Sequence, residues 1–208
     1  MKVKDIIKVI EEFAPLSVQE GWDNSGLCVG FPEDEVTSVL LALDCTPALV
    51  DEAVACGADM IVTHHPLIFS GLKKISPEDM VGEAVIKAIK AGVSIYAAHT
   101  NADKVLAGVS GAMAARLGLK NVNILDQDED ETGLGAVGDF PEPISAEQAV
   151  ALVKEKFSLK SMKASRPVEG LISRVAMCGG SGGSLIAAAR KFMVWRNKIA
   201  KRTNYHSG

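Results

Sequence analysis

Apolar residues recur at helical spacing from Asp5 to Phe13 and stop before Pro15, which predicts an amino-terminal helix. Residues 36–43 then form an apolar run of strand length, ending at Asp44-Cys45-Thr46-Pro47. Residues 48–56 read as a helix with Gly57 beyond its end, and Met60–Thr63 as a short buried strand. A helix over 78–90 is closed by Ala91-Gly92, a strand follows over 93–98, and 105–117 is helical again before Gly118. Strands alternating with helices at this spacing predict βαβ units. The expected fold is therefore α/β, a mainly parallel sheet with helices on both faces.

After Asn121 the texture changes. The acidic run over 126–131 predicts a solvated loop, and 133–140 is strand-like but glycine-rich. Ser145-Ala-Glu-Gln148 fits a capping box that opens a helix reaching Phe157. A last apolar strand over 172–177 enters Cys178-Gly-Gly-Ser-Gly-Gly-Ser184.

Composition narrows the class. The 208 residues are 48% hydrophobic and 23% charged, ordinary for a globular chain with a sizeable core. No apolar run approaches bilayer length, and the first residues lead straight into a helical pattern with no signal-peptide architecture, so a cytoplasmic protein off the membrane is expected. Cys28, Cys45, Cys56 and Cys178 form no CxxC pair and suit reduced thiols. The net charge is −4, yet residues 190–208 hold six basic residues and no acid, so the acidity lies in the body of the chain. An acidic body makes nucleic acid an unlikely partner.

The chemistry gathers at strand ends, where ligands of open parallel sheets are bound. His64 and His65 follow the strand Met60–Thr63, Asp103 lies beyond the strand over 93–98, and Asp44 ends the strand before the histidine pair. Imidazole and carboxylate form a ligand set suited to zinc, iron, manganese or nickel. Neighbouring side chains of a regular strand point to opposite faces, so both histidines serve one site only where the chain leaves strand geometry. Pro66 marks such a departure. Asp103 can then bridge two ions held by His64 and His65, which clamp and activate a water. The alternative is a set of hydrogen-bonded structural residues. His99 is expected to orient its loop or to support a ligand from behind, and Asp44 to cap the helix that follows. Gly179-Gly-Ser-Gly-Gly183 has two readings, a phosphate cradle or close strand-to-helix packing. Trp22-Asp-Asn-Ser-Gly26 predicts a tight turn before an apolar strand.

The segments GWDNSGLCVG, GADMIVTHHPLIF, YAAHTNADKV and RVAMCGGSGGSLI, in this order, resemble the GTP cyclohydrolase I type 2 homologue family, the NIF-three-like dinuclear-metal proteins. The resemblance runs from residue 1 to about Ile186. It implies a cytoplasmic protein of NIF-three-like architecture that self-associates as a toroidal homohexamer. It also implies two divalent metal ions per subunit, with His64, His65 and Asp103 as metal ligands. The implied activity is that of a metal-dependent hydrolase of GTP cyclohydrolase type, with activated water attacking the imidazole ring of guanine in a nucleotide substrate. The rival reading is a non-enzymatic metal-binding or protein-interaction scaffold. The family pattern continues past GGSGGSLI to a histidine and a glutamate four residues apart, and no HxxxE occurs in residues 187–208. On that resemblance the chain divides into 1–125, an α/β region carrying the metal ligands, 126–186, an incomplete second α/β portion, and 187–208, a divergent basic tail. The expectation is a truncated or frameshifted end, an incomplete second metal site and weaker metal occupancy than in relatives.

Overall fold

Met60-Ile-Val-Thr63 is buried on both sides because two layers of helix cover the sheet it belongs to. The computed structural model describes residues 1–128, 131–164 and 169–196, with side chains through Lys191. Two units, Met1–Val105 and Leu106–Gly208, each have their own core. In the first unit the order is α1 (Val3–Phe13), β1 (Gly26–Val29), β2 (Val39–Ala42), α2 (Pro47–Cys56), β3 (Met60–Thr63), α3 (Met80–Ala91), β4 (Ser94–Ala97) and α4 (Thr100–Lys104). The strands lie side by side as β1-β4-β3-β2. The β2–β3 and β3–β4 pairs are parallel, and β1 joins β4 antiparallel at the edge.

Alternation along the strands sorts their side chains between the two faces. Ile61, Ile95 and Leu40 pack with Val50 and Ala53 of α2 and with Ala84, Val85 and Ala88 of α3. Met60, Tyr96 and Val39 pack with Val3, Ile6 and Ile10 of α1 on the other side. Ile61 and Ile95 are fully buried, and each such burial contributes about 1.5–3 kcal/mol. The helices start on side-chain caps. The Thr46 hydroxyl accepts from Leu49 N ahead of Pro47, and the Asp79 carboxylate accepts from Gly82 N. Both end on a left-handed glycine, Gly57 at φ 70 and Gly92 at φ 68, which turns the chain straight into β3 and β4. Mainly parallel strands with helices on both faces therefore hold for this unit.

The second unit contains α5 (Val109–Arg116), β5 (Lys120–Gln127), β6 (Gly133–Ser145), α6 (Ala146–Lys156), β7 (Leu171–Met177) and α7 (Ile186–Arg196). Its sheet, ordered β5-β6-β7, is antiparallel throughout. Ala136 and Phe140 of β6 face α5 and α6, while Val137 faces Leu185 and Ala188 beside α7. The expected capping box is present: Ser145 Oγ accepts from Gln148 N and Gln148 Oε1 accepts from Ser145 N.

Three expectations change. The helix expected over 105–117 starts only at Val109, as α5, and a separate one-turn helix, α4, precedes it, with residues 105–108 between them. Gly111 explains the tight return, since a side chain there would collide with Leu106 O. The acidic loop begins later than the charge run suggests, because Asp126 and Gln127 pair with Leu134 and Gly133 in the ladder. Residues 129–130 of that run lie outside the described residues. Residues up to 125 were grouped with the first region, whereas α5 and β5 pack on β6 in the second unit. Of the basic tail expected over 187–208, α7 is described to Arg196, and 197–208 lie outside the described residues. Among the described residues no helix is long and apolar enough to cross a membrane.

Candidate metal centre

The parallel ladder of the first unit carries three strand ends to one edge. Past β3, His64 N donates to Ala42 O and His65 N to Leu43 O, so the chain still runs along β2 as it leaves strand geometry. The Thr63 hydroxyl donates to His65 O at 2.8 Å and closes the turn ahead of Pro66. Both imidazoles consequently lie on one side, with ring centroids 5.0 Å apart, as one shared site requires. Past β4, Ala98 N donates to Thr63 O, and His99 follows. Its ring lies 5.2 Å from that of His64 and 5.6 Å from that of His65, centroid to centroid. One ring nitrogen from each of His64, His65 and His99 lies within 4.8 Å of the others. Three of the four histidines in the chain thus share one cluster.

Each imidazole has its Nδ1 against an oxygen acceptor. His64 meets Ala98 O at 2.9 Å, His65 meets Asp44 Oδ1 at 2.7 Å, and His99 meets Asp23 Oδ1 at 2.8 Å. A carbonyl or carboxylate oxygen has no proton to give, so Nδ1 is the donor in all three. These bonds turn the Nε2 edge of each ring away from its oxygen acceptor, the arrangement that presents histidine to a metal.

Asp103 completes the group. The helix α4 is one turn long, so Asp103, four residues after His99, comes back over it. Asp103 Oδ2 stands 3.7 Å from His64 Nε2, too far for a hydrogen bond. Asp103 Oδ1 is buried and has no hydrogen-bond partner among the described residues. Burial is the main influence on its carboxyl and pushes the pKa up. A buried carboxylate oxygen without a donor is costly. A cation would supply such a partner, and three imidazole nitrogens with a carboxylate match the donor set of zinc, iron, manganese or nickel. The residues present therefore fit a divalent metal. Buried thiols do not compete well: burial pushes both Cys28 and Cys45 up to about 11.

Asp23 frames the site from behind. Its side chain is fully enclosed and accepts from His99 Nδ1, Asn24 N, Ser25 Oγ, and both the amide and the hydroxyl of Thr100. Burial pushes its pKa up, but the bonds from His99, Thr100 and Asn24 outweigh burial and hold it down at about 2. The turn around Trp22-Asp-Asn-Ser-Gly26 thereby locks onto the start of α4.

Two residues have roles other than those expected. His99 stands in the cluster itself rather than behind it. Asp44 caps nothing, because Thr46 caps α2, and its carboxylate orients His65 instead. Asp23 is expected from sequence as part of a tight turn, and its hold on His99 shows only in the pairing of the two. In the glycine loop after β7, Gly180 and Gly182 take left-handed φ of 66 and 61, and a side chain at Gly182 would sit 2.5 Å from Cys178 Sγ, whereas Gly180 and Gly183 face open space.

A family model described as Duf34/NIF3 (NGG1p interacting factor 3) matches residues 1–194. A Clostridium perfringens protein named GTP cyclohydrolase 1 type 2 homolog is 35% identical over 193 residues, covering 92% of this chain and 74% of the relative. A Clostridium acetobutylicum protein of the same name is 36% identical, with 92% and 72% covered. The crystal structure of Staphylococcus aureus protein SA1388 superposes with a TM-score of 0.86 at 28% identity, over 92% of this chain and 76% of that one.

Proposed function

We propose, from the premise that this chain belongs to the Duf34/NIF3 family, that it is a divalent-metal-binding protein with hydrolase-type chemistry. His64, His65 and His99 would hold the ion through Nε2, and Asp103 through its carboxylate. The observation that carries this reading is the common placement of the three clustered rings, each with Nδ1 bonded to an oxygen. An ion bound there supplies Lewis acidity that polarises an oxygen of the substrate and brings the acidity of water toward neutral pH. Asp44, Ala98 and Asp23 keep the rings aimed, and the Asp103 carboxylate offsets part of the positive charge. The name of the clostridial relatives supports a purine nucleotide such as GTP as substrate. Self-association as a homohexamer belongs to the same proposal.

The test is formate release from GTP by the chain supplied in turn with zinc, iron, manganese or nickel. Release is expected from the wild type and is expected to be lost in His64→Ala together with the metal. Metal uptake with no formate under any of these ions would reject the cyclohydrolase reaction and favour a metal-binding protein without turnover.

A further inference from the structure

Trp22 and Phe69 stand beside the cluster and have no part in holding a metal. They are 60% and 54% exposed, respectively. Their ring centroids are 5.9 Å apart, and the Trp22 ring meets the His99 imidazole in a T-shaped contact at 6.1 Å. Scattered exposed apolar residues are ordinary. Two aromatics in mutual contact, one of them against a histidine of the cluster, are a patch at a site instead.

The patch is held on a fixed frame. Asn24 Nδ2 donates to Ile68 O at 2.6 Å, joining the turn after Trp22 to the residue before Phe69. On the other side of that turn, Asp23 ties the residue next to Trp22 to His99 and Thr100. Packing between two loops would account for the contact between the rings, but it leaves about half of each in solvent. An apolar surface bordered by three imidazoles and a carboxylate is matched by a molecule with apolar faces and a polar edge. A planar heterocycle has that form: its face stacks on the indole while its ring nitrogens and carbonyl oxygens reach toward the cluster.

We propose that Trp22 and Phe69 form a stacking platform at the mouth of the histidine cluster that binds a planar heteroaromatic ring of the purine class. The platform rests on the metal-centre reading for its role, since it presents the ring to that centre, but the stacking itself needs no metal.

Trp22 and Trp195 are the two tryptophans of the chain, so a Trp195→Phe protein reports on Trp22 alone. Guanosine, guanosine monophosphate and ribose 5-phosphate are titrated into it, in chelator and in zinc. The two ring compounds are expected to quench Trp22 fluorescence and ribose 5-phosphate to leave it unchanged. By calorimetry, Trp22→Ala and Phe69→Ala should each weaken guanosine binding roughly tenfold, and Trp22→Phe should recover most of the loss. Zinc affinity, measured separately on the same proteins, is expected to be unchanged. Guanosine affinity unaltered by Trp22→Ala, or ribose 5-phosphate binding as well as the nucleotide, would overturn the platform. So would a fall in sedimentation mass in Trp22→Ala at constant guanosine affinity, which would assign the patch to contact between copies. Guanosine binding through Trp22 in a chain that takes up no zinc would support the platform while rejecting the metal centre. Zinc uptake with no guanosine binding would do the reverse.

Discussion

Asp103→Asn is expected to weaken zinc binding by more than about a hundredfold, beyond the 10–100-fold typical of residues that only orient a ligand. The same substitution should leave the metal-free chain no less stable than the wild type. The two halves of this result follow from one observation, the buried Asp103 Oδ1 that has no donor among the described residues while Oδ2 lies 3.7 Å from His64 Nε2. In the metal-free chain a partly buried carboxylate is poorly compensated, and a neutral amide of the same shape removes that penalty. With metal present, the amide is a far weaker ligand than the carboxylate. A residue kept for stability behaves in the opposite way, losing stability when neutralised and leaving metal affinity alone. Competition with a chromophoric chelator and urea unfolding in chelator separate the two cases. A destabilised Asp103→Asn that binds zinc as the wild type does would make Asp103 structural.

The second large effect is expected at Asp23. Asp23→Ala removes the acceptor of five hydrogen bonds at once, leaving His99 Nδ1, the Asn24 and Thr100 amides, and two hydroxyls to find other partners. Bonds to a charged acceptor contribute more than neutral ones, and enclosed donors left unpaired add their desolvation. A loss of about 3–5 kcal/mol is expected, with the larger share from the amides, which cannot rotate away. Metal affinity should fall by about 10–100-fold as well, because His99 loses the acceptor that fixes its tautomer. The acid limb of stability carries the same signature. The Asp23 carboxyl is held at about 2, below the ordinary aspartate value. A depressed carboxyl stabilises the fold above its unfolded pKa, and that stability is lost as pH falls through the folded value. The wild type should therefore lose this increment between about pH 4 and pH 2, and Asp23→Ala should lack it. Urea midpoints across that range check both claims. A variant with wild-type midpoints would show that the Trp22 turn is held by other contacts.

The parallel sheet was legible because its strands are short apolar runs between helices that begin on Thr46 and Asp79 and end on Gly57 and Gly92. The histidine pair was legible for the same reason, since a polar pair directly after a buried strand marks a strand end. The strand β5 was hidden. Its register shifts between Lys120 and Asn123, where Asn121 takes φ 53, and the shift breaks the alternation that announces a half-buried strand. The short helix α4 was hidden because one turn is too little for periodicity to register, and with it went the return of Asp103 over His99. Asp23 and Asp44 act through partners 76 and 21 positions away, respectively, and local pattern has no access to such pairings.

The most direct test of a histidine-held metal is zinc K-edge X-ray absorption on the wild-type chain loaded with one equivalent of zinc and then dialysed. Nitrogen and oxygen neighbours alone are predicted, at about 2.0–2.1 Å, with the multiple scattering of imidazole rings. A sulfur shell at about 2.3 Å, or zinc that leaves on dialysis, would contradict it.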